Sequence, residues 1–208
     1  MQPGSPVPIV KVPTWKPEGG GWIRLFNGKD LEGWMFRAAQ NTSWEVQDGL
    51  LANLLEKDGQ KRRGVNICTQ EMFRDFHLHV EFKIAKWGNS EVYLRGRKGI
   101  QVLDSFGKGK FGASDCGAIY GKSAPKVNAC KPAGEWNAFD VTIVGDKITV
   151  HLNGQLIQDN VEVPGCTGGA LDGDDSKPGP LMMQGDHTSV WYRNIWIKPL
   201  PEEKKEEK

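Results

Sequence analysis

The sequence predicts an all-β fold, a two-sheet antiparallel β-sandwich, and three observations predict it. Apolar and polar residues alternate over short stretches: Phe76, Leu78, Val80, Phe82 and Ile84 are interleaved with His77, His79, Glu81 and Lys83. That period of two belongs to a half-buried strand. Glycine supplies 26 of the 208 residues, and Gly- and Asn/Asp-rich turns separate the alternating stretches at short intervals, as in sandwiches and barrels. No convincing amphipathic helical period appears along the chain.

The ends are set apart by composition. Residues 1–20 carry Pro3, Pro6, Pro8, Pro13 and Pro17 and run into Gly19-Gly20-Gly21, which predicts an extended arm outside the core. The run Pro201 to Lys208 is almost wholly charged, with nothing to bury, and reads as a disordered tail. Residues 21–200 then form one domain without internal repeats, large enough to bury a core without metals or cross-links. The first residues show neither a basic n-region nor an apolar h-region. That fits a cytosolic protein or an exported one whose leader has been replaced. No apolar run reaches the length of a membrane span.

Composition also narrows the partners. The formal net charge is +1 and the Lys and Arg residues are scattered, so no basic stripe interleaved with aromatics is available to nucleic acid. Eight Trp against three Tyr supply flat apolar faces suited to sugar rings, although core filling is the commoner use of tryptophan in a sandwich. Cys68, Cys116, Cys130 and Cys166 have no CxxC spacing, which argues against zinc and leaves room for two disulfides.

The stretch 139–159 predicts a three-stranded meander. Gly145-Asp146 and Asn153-Gly154 are two-residue hairpin signals. With those turns Ile143 pairs with Ile148, Val141 with Val150 and Phe139 with Leu152, while Val150 faces Ile157 on the third strand. Every partner is apolar, so both turns place one apolar face on the same side. His151 falls on the opposite face beside Leu156, as an exposed strand histidine.

A second hairpin lies around Gly96. Val92 and Leu94 share a face, as do Ile100 and Val102. Both pairs reach the core only if the connecting loop has odd length, because a slip of one residue flips a strand. The opposite face then collects Glu91, Tyr93, Arg95, Gly99 and Gln101: a carboxylate, a phenol, a guanidinium and an amide on a sugar-sized surface.

Several runs in order carry a family resemblance. Gly21 to Trp34, read as GWIRLFNGKDLEGW, resembles the opening of the 3-keto-disaccharide hydrolase family, and Trp44 to Leu51 is similar to its WxVxDGxL run. The stretches at 75–83, Asn89-Ser90, Leu94 to Arg97, 101–105, Gly117 to Gly121 and Gly134 to Asn137 follow in the family's order. Gly185-Asp186-His187 and Tyr192 to Ile197 close the series. The resemblance implies a concanavalin-like jelly roll, a secreted or periplasmic bacterial protein, and chemistry on carbohydrate. One departure stands out: the family commonly has Gly where this chain has Glu91, and Glu where it has Gly99. Since 91 and 99 share a face of adjacent strands, we read this as a carboxylate exchanged across the hairpin, with Gly99 leaving room for Glu91.

In a 3-keto sugar the carbonyl acidifies the C2 proton and places the C1 leaving group β to it. Cleavage then needs a base at C2, a donor or cation for the enolate oxygen, and an acid for the leaving oxygen. Candidate catalytic residues are Glu91, His187 and Asp104; candidate sugar-binding residues are Glu81, Tyr93, Arg95, Gln101, Tyr120, Gln184 and Asp186. Direct hydrolysis by paired carboxylates, Glu91 with Asp104 or Glu81, is the competing route, although strict alternation puts Asp104 off the polar face. The residues name no cofactor with certainty. A divalent cation is a candidate one, held by Glu81, Asp104 and His187, or by the i, i+2 pair His77 and His79; for His77 a water-facing surface is the better reading. The expected partner is a 3-keto-glucoside or oligosaccharide, and a non-catalytic carbohydrate-binding module is the alternative to an enzyme. Nearness in one loop-rich stretch, with inferred export, also suggests a Cys116–Cys130 disulfide, although Cys68 and Cys166 are equally available as partners.

Overall fold

The computed structural model describes residues 15–38, 40 and 43–201. In chain order its strands are β1 (Ile23–Arg24), β2 (Trp34–Phe36), β3 (Trp44–Gln47), β4 (Leu50–Asn53), β5 (Glu56–Lys57), β6 (Gln60–Lys61), β7 (Ile67–Thr69), β8 (Phe76–Ile84), β9 (Asn89–Leu94), β10 (Lys98–Leu103), β11 (Asn137–Val144), β12 (Lys147–Leu152), β13 (Gln155–Glu162), β14 (Met182–Met183) and β15 (Val190–Pro199). The described residues contain no helix. An eight-stranded sheet runs β13-β12-β11-β8-β15-β4-β3 with β1 beside β15, and a five-stranded sheet runs β10-β9-β14-β7-β2. Every strand pair is antiparallel. The core lies between the sheets. Phe76, Leu78, Val80, Phe82 and Ile84 of β8 supply one side, and Val92, Leu94, Ile100 and Val102 of β9 and β10 the other.

The meander forms with the expected pairs Phe139–Leu152, Val141–Val150 and Ile143–Ile148. Asn153 (φ 53°) and Gly154 (φ 81°) are both left-handed, the backbone a type I′ turn demands. Thr142 and Thr149 stay out of the core: Thr142 meets the His77 ring at 2.7 Å and Thr149 accepts from the Asn160 amide. One detail differs. The β12–β13 register slips on both sides of Val150, which pairs with Gln158 and not with Ile157. A bulge turns two successive residues inward, so Ile157 and Gln158 are both buried. Gln158 uses its amide to hold the Gly117 and Ser123 carbonyls, anchoring the loop that carries Tyr120.

The outer face of the large sheet is not the water-facing surface expected at His77. Trp15 stacks on His79 at 3.9 Å with 5° between the planes, and Trp22 lies 6.5 Å from the His77 ring. His79 is thereby buried, with Nδ1 donating to Asp140 at 2.6 Å. The arm predicted for residues 1–20 is thus docked at its end; residues 1–14 and the tail 202–208 lie outside the described residues.

Candidate active site

The loop Arg95–Arg97 joins β9 to β10 in the odd-length connection required by their apolar faces, pairing Leu94 with Lys98, Tyr93 with Gly99 and Glu91 with Gln101. This register sends Ser90, Val92 and Leu94 inward and leaves Asn89, Glu91, Tyr93 and Gln101 on the outer face of the small sheet. They floor a cleft of about 320 Å³, completed by Tyr120, Gly168, Gly169, Gln184, Asp186 and His187. Each of these distant residues arrives by a traceable contact. Tyr120 is brought by an irregular segment lying on the free edge of β10, where the Gly117 and Tyr120 amides donate to the Gln101 and Gly99 carbonyls. Gln184 follows β14, its amide donating to the Glu91 carbonyl at 2.9 Å. Asp186 and His187 follow Gly185, which packs so closely on Val65 and Trp44 that no side chain fits there.

Glu91 lies at the centre. A Cβ on Gly99 would overlap its carboxyl group, so Gly99 is the residue that makes room for this acid. Burial raises the Glu91 carboxyl to about 7 against a smaller lowering by the Tyr93 hydroxyl, because a charged carboxylate loses its hydration there. Its Oε1 is buried without a hydrogen-bond partner. Tyr93 donates to the Gly168 carbonyl at 3.0 Å, and Gln101 Nε2 donates to Asn89 Oδ1 at 2.7 Å. His187 and Asp186 form an exposed pair at the rim, Nδ1 to carboxylate at 2.7 Å. The pairing orients the imidazole and leaves Nε2 to work.

The structure assembles Glu91, Tyr93, Gln101, Tyr120, Gln184, Asp186 and His187 in one cleft, and places three expected residues elsewhere. Arg95 is a correction: it occupies the hairpin loop with φ 53°, and its guanidinium crosses between the sheets to the Gly145 carbonyl. Alternation ends where the strand ends, so parity no longer governs it. Glu81 is a second correction. It lies on the outer face of the other sheet, taking Arg193 at 2.5 Å and Asn194 at 2.8 Å. Its carboxyl is held down at about 2, burial being outweighed by His79, Asn194 and Arg193. Asp104 is the third: at the end of β10 its carboxylate accepts the Trp87 amide at 2.9 Å. The suggested cation site of Glu81, Asp104 and His187 is therefore dispersed, as are both carboxylate pairs suggested for direct hydrolysis. Among the described residues no three His, Cys, Asp or Glu side chains converge as metal ligands.

Sequence reasoning missed Asn89, Gly168 and Gly169. Asn89 was legible, being in phase with Glu91. The glycines were not: a Cβ on Gly169 would overlap the Tyr93 hydroxyl, and one on Gly168 would press on Tyr120 at 3.2 Å, contacts that exist only after folding. Cys116 and Cys130 are neighbours as expected, Cys130 and burial together pushing the Cys116 thiol up, but both are free in this structure.

A jelly-roll sandwich with a polar cleft on one sheet is a fold this chain shares with carbohydrate-active proteins. Residues 21–198 match the family of 3-keto-alpha-glucoside-1,2-lyase-like domains, and the chain belongs to that family. It is 24% identical to a 3-keto-disaccharide hydrolase of Bacteroides thetaiotaomicron, over 88% of this chain and 80% of that protein. The fold is similar to that of a proposed glycosyl hydrolase from Parabacteroides distasonis, with TM-score 0.72 and 29% identity over 96% of this chain and 94% of the other. A β-glucanase of Bacillus licheniformis shares the fold alone, with TM-score 0.56 at 13% identity over 88% of this chain and all of the other.

Proposed function

We propose that this cleft cleaves the glycosidic bond of 3-keto-glycosides by elimination and rehydration, with Glu91 as the base. The observation that carries this reading is the Glu91 carboxyl: central, buried, with one oxygen unpartnered and a pKa raised to about 7. A base poised near neutrality matches a C2–H acidified by the adjacent carbonyl. Glu91 takes the C2 proton, and the C–H electron pair passes into an enolate on the C3 oxygen. The enolate then expels the C1 leaving group, whose oxygen takes a proton from His187. Water adds at C1 and gives its proton to the deprotonated His187, while Glu91, its proton exchanged with solvent, delivers one to C2, so the net change is hydrolysis. Arg95 being elsewhere, the neutral amides of Asn89, Gln101 and Gln184 are the donors for the enolate oxygen. The names of the family and of the Bacteroides relative support the substrate class.

The test is to incubate the protein with a 3-keto-glucoside in deuterated water. Elimination washes deuterium into C2 of the released sugar, whereas direct displacement at C1 leaves C2–H intact and would overturn the route. Glu91→Gln keeps the shape and removes the base, so turnover falls by roughly 10²–10⁴ while ground-state binding changes little. Full turnover in Glu91→Gln together with its loss in His187→Ala would move the base to His187. No turnover by the wild type, with sugar binding intact, would leave a carbohydrate-binding module.

A further inference from the structure

The cleft has two ends, and a tryptophan lies two residues along the chain from one of them. At the Tyr93 end the Tyr93 hydroxyl bonds the Gly168 carbonyl, and Tyr120 packs over the same glycine. At the other end lie Asn89 and His187, tied together because the next residue, Thr188, bonds both the amide and the carbonyl of Asn89 at 2.7 and 2.9 Å. The chain enters Asn89 from the turn Ala85–Gly88, which presents Trp87 with 78% of its surface exposed. No other large hydrophobic residue among those described is as exposed.

This turn is built and held. Trp87 adopts φ 63°, a left-handed conformation uncommon outside glycine and costly for a bulky residue. Three hydrogen bonds maintain it: the Trp87 amide to the Asp104 carboxylate at 2.9 Å, and Gly88 to Ala85 at 2.9 Å and Asp104 to Gly88 at 3.0 Å through the backbone. Gly88 packs on Ile84 so closely that a Cβ would lie 2.7 Å from that residue's own. Such a turn fixes the Trp87 backbone and the direction in which its side chain leaves it; the indole stays out of the core, with the Lys86 ammonium 5.3 Å from its ring centre. Phe106, 56% exposed, lies two residues beyond Asp104 in the chain.

We propose that Trp87 is a binding residue: its indole is the stacking platform for the sugar ring on the leaving-group side of the scissile bond. This deepens the function proposed above and rests on it for the direction of the substrate. With the keto sugar over Glu91 and the Tyr93 end closed, a second ring leaves the cleft past His187, the acid assigned to the leaving oxygen, toward Trp87. A pyranose ring has an apolar C–H face, and an indole is the largest flat apolar surface a side chain offers. Asp104, one of the residues expected in the site from sequence, is then a positioning residue acting through the Trp87 backbone.

The test compares Trp87→Ala and Trp87→Phe on two substrates, a 3-keto-disaccharide and methyl 3-keto-glucoside, which has no second ring. Trp87→Ala is expected to raise KM for the disaccharide by about 3- to 10-fold, the size of one aromatic contact, with the methyl glycoside unaffected; Trp87→Phe restores most of the loss. Equal effects on both substrates, or none on either, overturn the platform and leave the proposed chemistry standing. Calorimetric titration with the unoxidised parent disaccharide separates the other case. If neither keto substrate is cleaved but this sugar binds, and binds more weakly to Trp87→Ala, the chemistry fails and the platform stands. Absent or Trp87-independent binding in that case overturns both. The variants should melt at the wild-type temperature, since the side chain is outside the core.

Discussion

Glu91 works as proposed only because its surroundings are inhospitable to charge, and this has a consequence for stability. Its folded pKa of about 7 exceeds the ordinary carboxylate value, so between the two the native state holds a proton the unfolded chain has released. Stability therefore falls as pH rises through that interval, by up to about 1.4 kcal/mol per pH unit. Glu91→Gln should remove that slope and melt higher than the wild type at pH 8 while being nearly inactive, which thermal unfolding across pH checks. Gly169 makes the complementary point. It sits at φ 76° with Tyr93 against the place a Cβ would occupy. Gly169→Ala should displace the Tyr93 hydroxyl from Gly168 and raise KM several-fold, whereas Gly59→Ala, facing open space at a similar φ, should leave KM unchanged in the same assay.

At the scale of elements, the β9–β10 hairpin is secured to the rest of the sandwich by cations with no part in the cleft. Lys98 is fully buried. Its ammonium donates to the Val163 and Gly165 carbonyls and meets Asp175 at 2.6 Å and Asp146 at 3.2 Å. Arg97 grips Asp172 at 2.7 Å. Together they pin the 163–175 segment, and with it Gly168 and Gly169, to the hairpin that bears Glu91. Lys98→Met keeps the length of the stem but leaves the Asp146 and Asp175 carboxylates without their cation. It should cost about 3–5 kcal/mol, measured by denaturant unfolding, and loosen the closed end of the cleft. Cys116 and Cys130 bracket the segment bearing Tyr120. Oxidised glutathione should convert the pair to a disulfide, their two electrons and two protons reducing the oxidant to two thiols. The mass then falls by about 2 Da, and the closed loop adds roughly 3 kcal/mol. A chain that keeps four titratable thiols under those conditions would show that the geometry forbids the bond.

At the scale of the whole molecule, titrating groups on the two sheets set one stability profile. Glu81 is held at about 2, so its contribution is complete above the ordinary carboxylate range and is lost as pH falls toward 2. His79 is raised: burial lowers it, but Asp140 and Glu81 outweigh burial. Its contribution is complete below the ordinary histidine value and is lost as pH rises through the folded one. Glu91 slopes in the same direction as His79. The maximum of stability should therefore lie at about pH 5, with an alkaline limb that flattens in Glu91→Gln. A melting-temperature series from pH 3 to 9 tests this, and a maximum above pH 7 would show that these groups do not govern the profile.

The sandwich, the meander and the odd-length hairpin were legible in the sequence because each depends on local rules. Alternation assigns faces, and Gly145-Asp146, Asn153-Gly154 and the Gly96 loop fix registers that keep the apolar partners together everywhere but at the Val150 bulge. The same parity placed Glu91, Tyr93 and Gln101 on one surface and foresaw that Gly99 makes room for the acid. It failed at Arg95, which lies past the end of its strand, and says nothing about which sheet a strand joins, which decided Glu81; Asp104 it had put off the polar face, where the structure keeps it. Only the tertiary structure decided that β8 and β9, adjacent in sequence, belong to opposite sheets, which separates Glu81 from Glu91 by the thickness of the core. It alone sent Trp15 onto His79, brought Gly168 and Gly169 against Tyr93 and Tyr120, and left Trp87 standing in water. Those contacts join residues far apart in the chain, and packing selects them only once both sheets have formed.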